Sequence, residues 1–112
     1  MNFVDYKDFV KIKICTGTIL SAEENNHLKK PSIILQIDFG ETIGIKKSSA
    51  QLRANYSCVD LINKQIIAVV NFLPKQIGNI SSEVLVLCLP DEKNEPILIS
   101  PLKAIENGKN IY

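Results

Sequence analysis

Two uncharged apolar runs, Gln65 to Val70 and Val84 to Leu89, dominate the hydropathy pattern, and the polar stretch Asn71 to Glu83 separates them. Each run is strand-length, rich in β-branched or aliphatic side chains and without strict polar alternation, which predicts strands covered on both faces. The stretch between them carries Pro74, Gly78 and three amide side chains. Those are too many turn residues for a helix, so it reads as a long ordered loop joining neighbouring strands. Loops of that length in small domains often carry binding.

Upstream, Phe9 to Leu20 alternates, with Ile12 and Ile14 assigned to one face and Lys11, Lys13 and Cys15 to the other, so Cys15 is expected to be at least partly exposed. Gly17 permits a bend or bulge in this first strand. Asn2 to Asp8 suits either a short helix or an extended lead. Ala22 to Lys30 is polar, Pro31 interrupts, and Ser32 to Phe39 reads as a second strand. Gly40-Glu41 turns into Thr42 to Lys47, a hairpin signal. Ser57 followed by Asp60 is a capping-box variant opening a helix over Cys58 to Asn63. Beyond the second apolar run, Asp91 to Glu95 turns the chain into Ile97-Leu98-Ile99, and Pro101 and Asn107-Gly108 punctuate the tail.

Short strands, a bend glycine in the first and one helix between the third and fourth predict an all-β fold, a five-stranded Greek-key barrel of the oligonucleotide/oligosaccharide-binding (OB) kind. A β-sandwich is the alternative. Residues 1 to 112 are expected to form one domain. In such a barrel the early strands and flanking loops make the ligand surface, which brings the long loop near Lys46-Lys47. The short helix covers only part of the second face of the apolar strands, so a second subunit, in a homodimer, is the expected cover.

Composition narrows the function. The net charge is +1, so any anion site must come from local clustering. Lys29-Lys30, Lys46-Lys47 beside Ser48-Ser49, Arg53 and Lys75 supply such clusters. Taken singly, each lysine pair reads as solvated surface. Cys15, Cys58 and Cys88 lack metal-ligand spacing and read as free thiols in a reducing compartment; no metal or cofactor is expected. The chain shows neither a membrane span nor a leader pattern at Met1 to Asp5, so the expected location is the cytoplasm, without membrane insertion. His27 is the one histidine, in a polar loop, and no nucleophile stands at a triad spacing; Gly40 and Gly44 lack the context of a dinucleotide loop. The chain is not expected to be an enzyme.

Lysines beside hydroxyls and amides neutralise phosphates and hydrogen-bond sugars or bases. The candidate RNA-binding residues are Lys29, Lys30, Lys46, Lys47, Ser48, Ser49, Gln51, Asn71, Lys75, Gln76, Ser82 and Glu83. Ser82-Glu83 serves equally well to close the loop onto the last strand. Single-strand binders add stacking aromatics, and among four Phe and three Tyr the best placed is Phe72, which also suits a core position.

Several motifs in order carry a family resemblance: Ile37 to Gly40, Ile43 to Gln51, Ala68 to Phe72 and Ser82 to Leu87. From about Phe9 to Gly108 the chain resembles the CsaA-type proteins, stand-alone members of the tRNA-binding domain family that is also appended to some aminoacyl-tRNA synthetases. The resemblance implies an OB barrel, a homodimer, tRNA as partner and a chaperone-like role in protein export. Lys13-Ile14-Cys15 departs from the family's aspartate, isoleucine, arginine, and Lys29 and Leu73 stand where arginine and proline are common. The reading is therefore a non-enzymatic tRNA-binding barrel. The alternative is a chaperone that binds unfolded or preprotein chains at the apolar corner Phe72, Leu73 and Pro74.

Overall fold

A curled antiparallel sheet is built around one long shared strand. The computed structural model describes residues 1–27 and 29–112. Helix α1 (Tyr6–Phe9) leads into β1 (Ile14–Asn25), β2 (Ser32–Asp38) and β3 (Ile45–Ala50), then α2 (Cys58–Leu61) and β4 (Gln65–Val69). Next come β5 (Lys75–Ile77), β6 (Ile80–Ser82), β7 (Leu85–Val86), β8 (Cys88–Pro90) and β9 (Pro96–Leu98). The main sheet has the order β3-β2-β1-β4-β7; β5-β6 and β8-β9 are separate hairpins.

The first half of β1 pairs with β4 and the second half with β2, with a register shift between Ile19 and Ser21. A bulge of this kind bends the strand and strengthens its twist, which lets one strand serve both sides of a curled sheet. Gly17 sits inside the bend, and a Cβ there would come within 2.6 Å of the Phe39 ring and 2.7 Å of Ile37. Ile33, Leu35, Ile37, Phe39 and Ile66 fill the interior. Burying a side chain such as Phe39 contributes about 1.5–3 kcal/mol. Ser57 caps α2 by accepting from the Asp60 N–H at 3.2 Å, as the sequence predicts. This is the OB-like half-barrel expected, with a short helix between β3 and β4.

Four expectations need correction. Strand β1 begins at Ile14, because Lys11 and Ile12 lie in the turn after α1, and the strand continues through Asn25. The polar stretch from Ala22 is thus strand up to Asn25, and its Leu28 lies outside the described residues. The face assignment slips by one residue: Cys15 is 4% exposed and packs in the core, whereas Ile12 is exposed. Parity puts Cys15, Gly17 and Ile19 on the inner face. The stretch Asn71 to Glu83 is not an irregular loop but contains the β5-β6 hairpin, turning at Gly78 with φ +59°. The run Val84 to Leu89 is two short strands with Leu85 and Leu89 exposed, so it is not covered on both faces.

For β4 the expectation of two covered faces holds, since Ile66 to Val69 are all buried. Part of that cover comes from the carboxy-terminal segment. The Gln65 amide donates to the Ile105 carbonyl at 2.6 Å, the Ser100 hydroxyl donates to the Gln65 carbonyl at 2.8 Å, and the chain near Gly108 to Ile111 pairs with Ile14 to Thr16.

Candidate nucleic-acid interface

Strand β3 would present an open edge, and side chains close it. The Lys47 N–H donates to Glu83 Oε1 at 3.0 Å, the Ser49 N–H donates to Ser82 Oγ at 3.0 Å, and the Ser48 hydroxyl donates to the Val84 carbonyl at 3.1 Å. One backbone bond, Glu83 N–H to the Lys47 carbonyl at 2.8 Å, completes the seam. The sheet therefore comes round on itself through Ser48, Ser82 and Glu83. Ser48 and Ser82 are buried, so their hydroxyls serve the barrel in this structure.

Beside the seam lies a groove of about 680 Å³. One wall is the end of β3 and the residues after it, from Ser48 through Gln51 to Leu52; the other is Phe72, Leu73 and the β5-β6 hairpin, with Lys75 at its start. Glu95 and Pro96 close one end. Phe72 is 51% exposed and Leu73 92% exposed, so this corner faces solvent and is not core. Pro74 is exposed at the same corner. Gln76 is exposed on the hairpin, where its amide donates to the Gly78 carbonyl at 2.8 Å. Gln51 is exposed and its side chain makes no hydrogen bond among the described residues.

The lysines do not form one surface. Strand alternation turns Lys46 and Lys47 to opposite faces of β3. Lys46 lies 3.9 Å from Glu83, whereas Lys47 and Lys75 have no ion pair among the described residues. Lys29 and Lys30 are exposed in the β1-β2 connection. That connection meets the hairpin tip, because the Asn25 amide donates to the Asn79 side chain at 3.4 Å. Lys75, at the start of the hairpin, lines the groove beside the seam.

Asn71 plays another part. Its Oδ1 accepts from the Lys13 N–H and its amide donates to the Lys11 carbonyl, both at 2.8 Å, so it staples the amino-terminal lead to the end of β4. Sequence reading missed this. A lone Asn after a strand carries no signal for a bond to residues about sixty positions away.

The curled five-stranded sheet with a groove at its seam has the OB-like architecture. Residues 14–110 match the family described as "Putative tRNA binding domain", and the chain belongs to that family. The methionine–tRNA ligase of Methanococcoides burtonii is 32% identical over 111 residues, covering 99% of this chain and 16% of the ligase. The chain thus spans about a sixth of the length of such curated relatives. The chaperone CsaA of Bacillus anthracis superposes with a TM-score of 0.93 at 41% identity, over 99% of this chain and 100% of its own. CsaA of Picrophilus torridus gives 0.90 at 45% identity, over 98% and 100%. The methionyl-tRNA-synthetase-related protein of Pyrococcus horikoshii, at 24% identity and a TM-score of 0.88, shares the fold.

Proposed function

We propose that this chain binds tRNA without catalysing a reaction on it, as a cytoplasmic homodimer of one-domain subunits. Membership of the tRNA-binding domain family over residues 14–110 carries the reading. The exposed lysines Lys29, Lys30 and Lys75 and the half-buried Lys47 are suited to phosphates, and Phe72 offers a half-exposed ring for stacking. For the dimer, support comes from apolar side chains left uncovered at both ends: Phe3, Val4 and Tyr6 near the start, Leu102 and Tyr112 near the finish. A second recess of about 620 Å³ lies beside the latter, lined by Ile67, Ile105 and Ile111. No helix among the described residues is long and apolar enough to cross a membrane.

Filter binding of tRNA and of a matched unstructured polyanion across a salt series tests the RNA reading. Affinity for tRNA should exceed that for the polyanion and fall steeply with salt. Replacing Lys47 and Lys75 together by Ala should flatten the log-log slope by about 1.4, at roughly 0.7 per phosphate contact. An unchanged slope and affinity would make the lysines ordinary surface charge.

A second reading, a chaperone for extended polypeptides, is supported by the groove itself. Leu73 is almost fully exposed beside Phe72, and the CsaA structures that resemble this chain are named chaperones.

A further inference from the structure

The carboxy-terminal tail docks on β1 through a turn at Asn107-Gly108. The Gly108 N–H donates to the Thr16 carbonyl at 2.7 Å, and Gly108 takes a left-handed φ of +83°. A Cβ at this position would come within 2.5 Å of the Phe39 carbonyl oxygen, so the docked turn requires glycine. The Asn107 side-chain oxygen accepts from the Thr18 hydroxyl at 2.8 Å and from the Gln65 amide at 3.2 Å. Anchors stand on both sides of the turn. Before it, Gln65 holds Ile105 twice, donating to its carbonyl at 2.6 Å and accepting its N–H at 3.1 Å. After it, the Lys109 N–H donates to the Thr16 hydroxyl at 3.0 Å and the Ile111 N–H to the Ile14 carbonyl at 2.8 Å.

An asparagine followed by glycine is chemically labile, because the glycine amide nitrogen reaches the side-chain carbonyl carbon with no Cβ in the way. Asn107 is the one asparagine of the chain with glycine after it. The Gly108 nitrogen bonds to Cγ of Asn107 as its proton passes to hydroxide, and the side-chain nitrogen takes a proton from water and leaves as ammonia, which closes a cyclic succinimide. Water then adds to one of the two ring carbonyls. Opening at Cγ gives aspartate; opening at the main-chain carbonyl gives isoaspartate, whose backbone runs through Cβ and is longer by one carbon. In the docked tail the first step is blocked at both reacting groups. The carbonyl of buried Thr16 holds the Gly108 proton away from solvent, while Thr18 and Gln65 fix the Asn107 side chain.

We propose that Asn107-Gly108 is a self-modification site gated by the docking of the tail: it deamidates when the segment lets go of β1, and the isoaspartyl product then prevents re-docking. The lengthened backbone lies between the anchor at Ile105 and those at Lys109 and Ile111, so both sets cannot be met at once. Ordinary aspartate keeps an oxygen acceptor for Thr18 and Gln65 and leaves the tail docked. Release uncovers Ile67 and the backbone from Ile14 to Thr16, where Ile67, Ile105 and Ile111 line the second recess. The segment thus records irreversibly that it has been displaced.

The test holds the native full-length protein at mildly alkaline pH and follows deamidation by the mass gain of the tryptic fragment Ala104 to Lys109, with the isoaspartyl form separated by chromatography. A synthetic peptide of the same sequence supplies the rate of an open chain. The native rate should be lower by about tenfold or more, because reaction from an opened state scales with how seldom the tail opens. Gln65→Ala removes both bonds to Ile105 and one to Asn107, and should raise the native rate about tenfold, whereas Ser57→Ala, which removes the α2 cap away from the tail, should leave it within about threefold. If Gln65→Ala fails to fold, the comparison of native protein with peptide still decides. Equal rates in protein and peptide would overturn the gating, as would equal acceleration by the two variants, which would make the opening global unfolding. For the product, protein enriched in isoaspartate by ageing in urea and then refolded should be cut by trypsin at Lys109 about tenfold faster than fresh protein taken through the same urea step, because cleavage there needs the tail undocked. Asn107→Asp should be cut at the fresh rate. Isoaspartyl protein cut no faster than fresh protein would overturn the block on re-docking, and Asn107→Asp cut as fast as the isoaspartyl form would assign the release to charge and overturn the chain-length argument.

Discussion

The Asn71 side chain accepts the Lys13 backbone N–H at 2.8 Å, and the same amide reaches the Lys11 carbonyl, so the end of β4 holds the lead into β1 through one residue. Asn71→Ala should therefore lower stability by about 1–2 kcal/mol, because two backbone groups lose their partner at once. Urea melts measure this. The salt slope of tRNA binding should be unaltered, since a neutral group releases no counterions. A variant with wild-type stability but weakened tRNA binding would move Asn71 from staple to ligand.

Glu83 holds the Lys47 N–H with one oxygen and faces Lys46 with the other, at 3.9 Å. Glu83→Gln keeps an acceptor for the seam and removes the charge that occupies Lys46. Affinity for tRNA should rise a few-fold at low salt, with the log-log slope steeper by up to about 0.7 as Lys46 becomes available to a phosphate. Filter binding at several salt concentrations reads both. Weaker binding would mean that the carboxylate itself accepts from the RNA.

Much of this architecture was legible in the residues. The apolar run of β4, the Ser57 cap and the strand from Ser32 are local patterns, and each appears where its pattern lies. The start of β1 was not. Lys11 to Ile14 alternates, but α1 consumes Tyr6 to Phe9 and its closing turn carries the chain past Ile12, so the true register is fixed by pairing with β4 over fifty positions away. At the site, the lysines and the exposed corner at Phe72 were readable as types. That Lys46 and Lys47 diverge follows from strand alternation once β3 is placed, whereas the bonds from Ser82 and Glu83 to β3 are long-range geometry that no local pattern encodes.

Cys15 should resist alkylation in the native protein. It sits in the core, and burial raises its thiol above the ordinary value more than the nearby Lys13 charge lowers it, leaving little thiolate to react. Iodoacetamide with peptide mapping should modify Cys15 only after denaturant is added. Rapid native labelling would restore the outward register of the first strand.

Gly17 offers a sharper test of the bend. Gly17→Ala would press a methyl against Phe39 and Ile37, both fully enclosed, so neither neighbour can yield freely. A loss of about 1–3 kcal/mol is expected, with the denaturant m-value unchanged. Pairing the change with Phe39→Leu should recover part of it, because the ring that clashes is gone. If Gly17→Ala is neutral, β1 does not pass as close to Phe39 as described.

Asp91 is expected to contribute to the acid limb of stability. Its carboxylate accepts the Glu95 N–H at 2.9 Å, the Asn55 amide at 3.0 Å and the Lys93 N–H at 2.8 Å. Led by the Glu95 bond, these hold the carboxyl below its ordinary value. A carboxyl with a depressed folded-state value stabilises the fold above the unfolded value, near 3.9, and loses that contribution as pH falls through the lower folded value. Thermal melts between about pH 5 and pH 2 should therefore show a fall in midpoint that is shallower in Asp91→Asn, which keeps one acceptor oxygen but cannot titrate. Identical pH profiles would place the acid limb on other carboxylates and leave the β8-β9 turn closed by its backbone bond between Asp91 and Glu95.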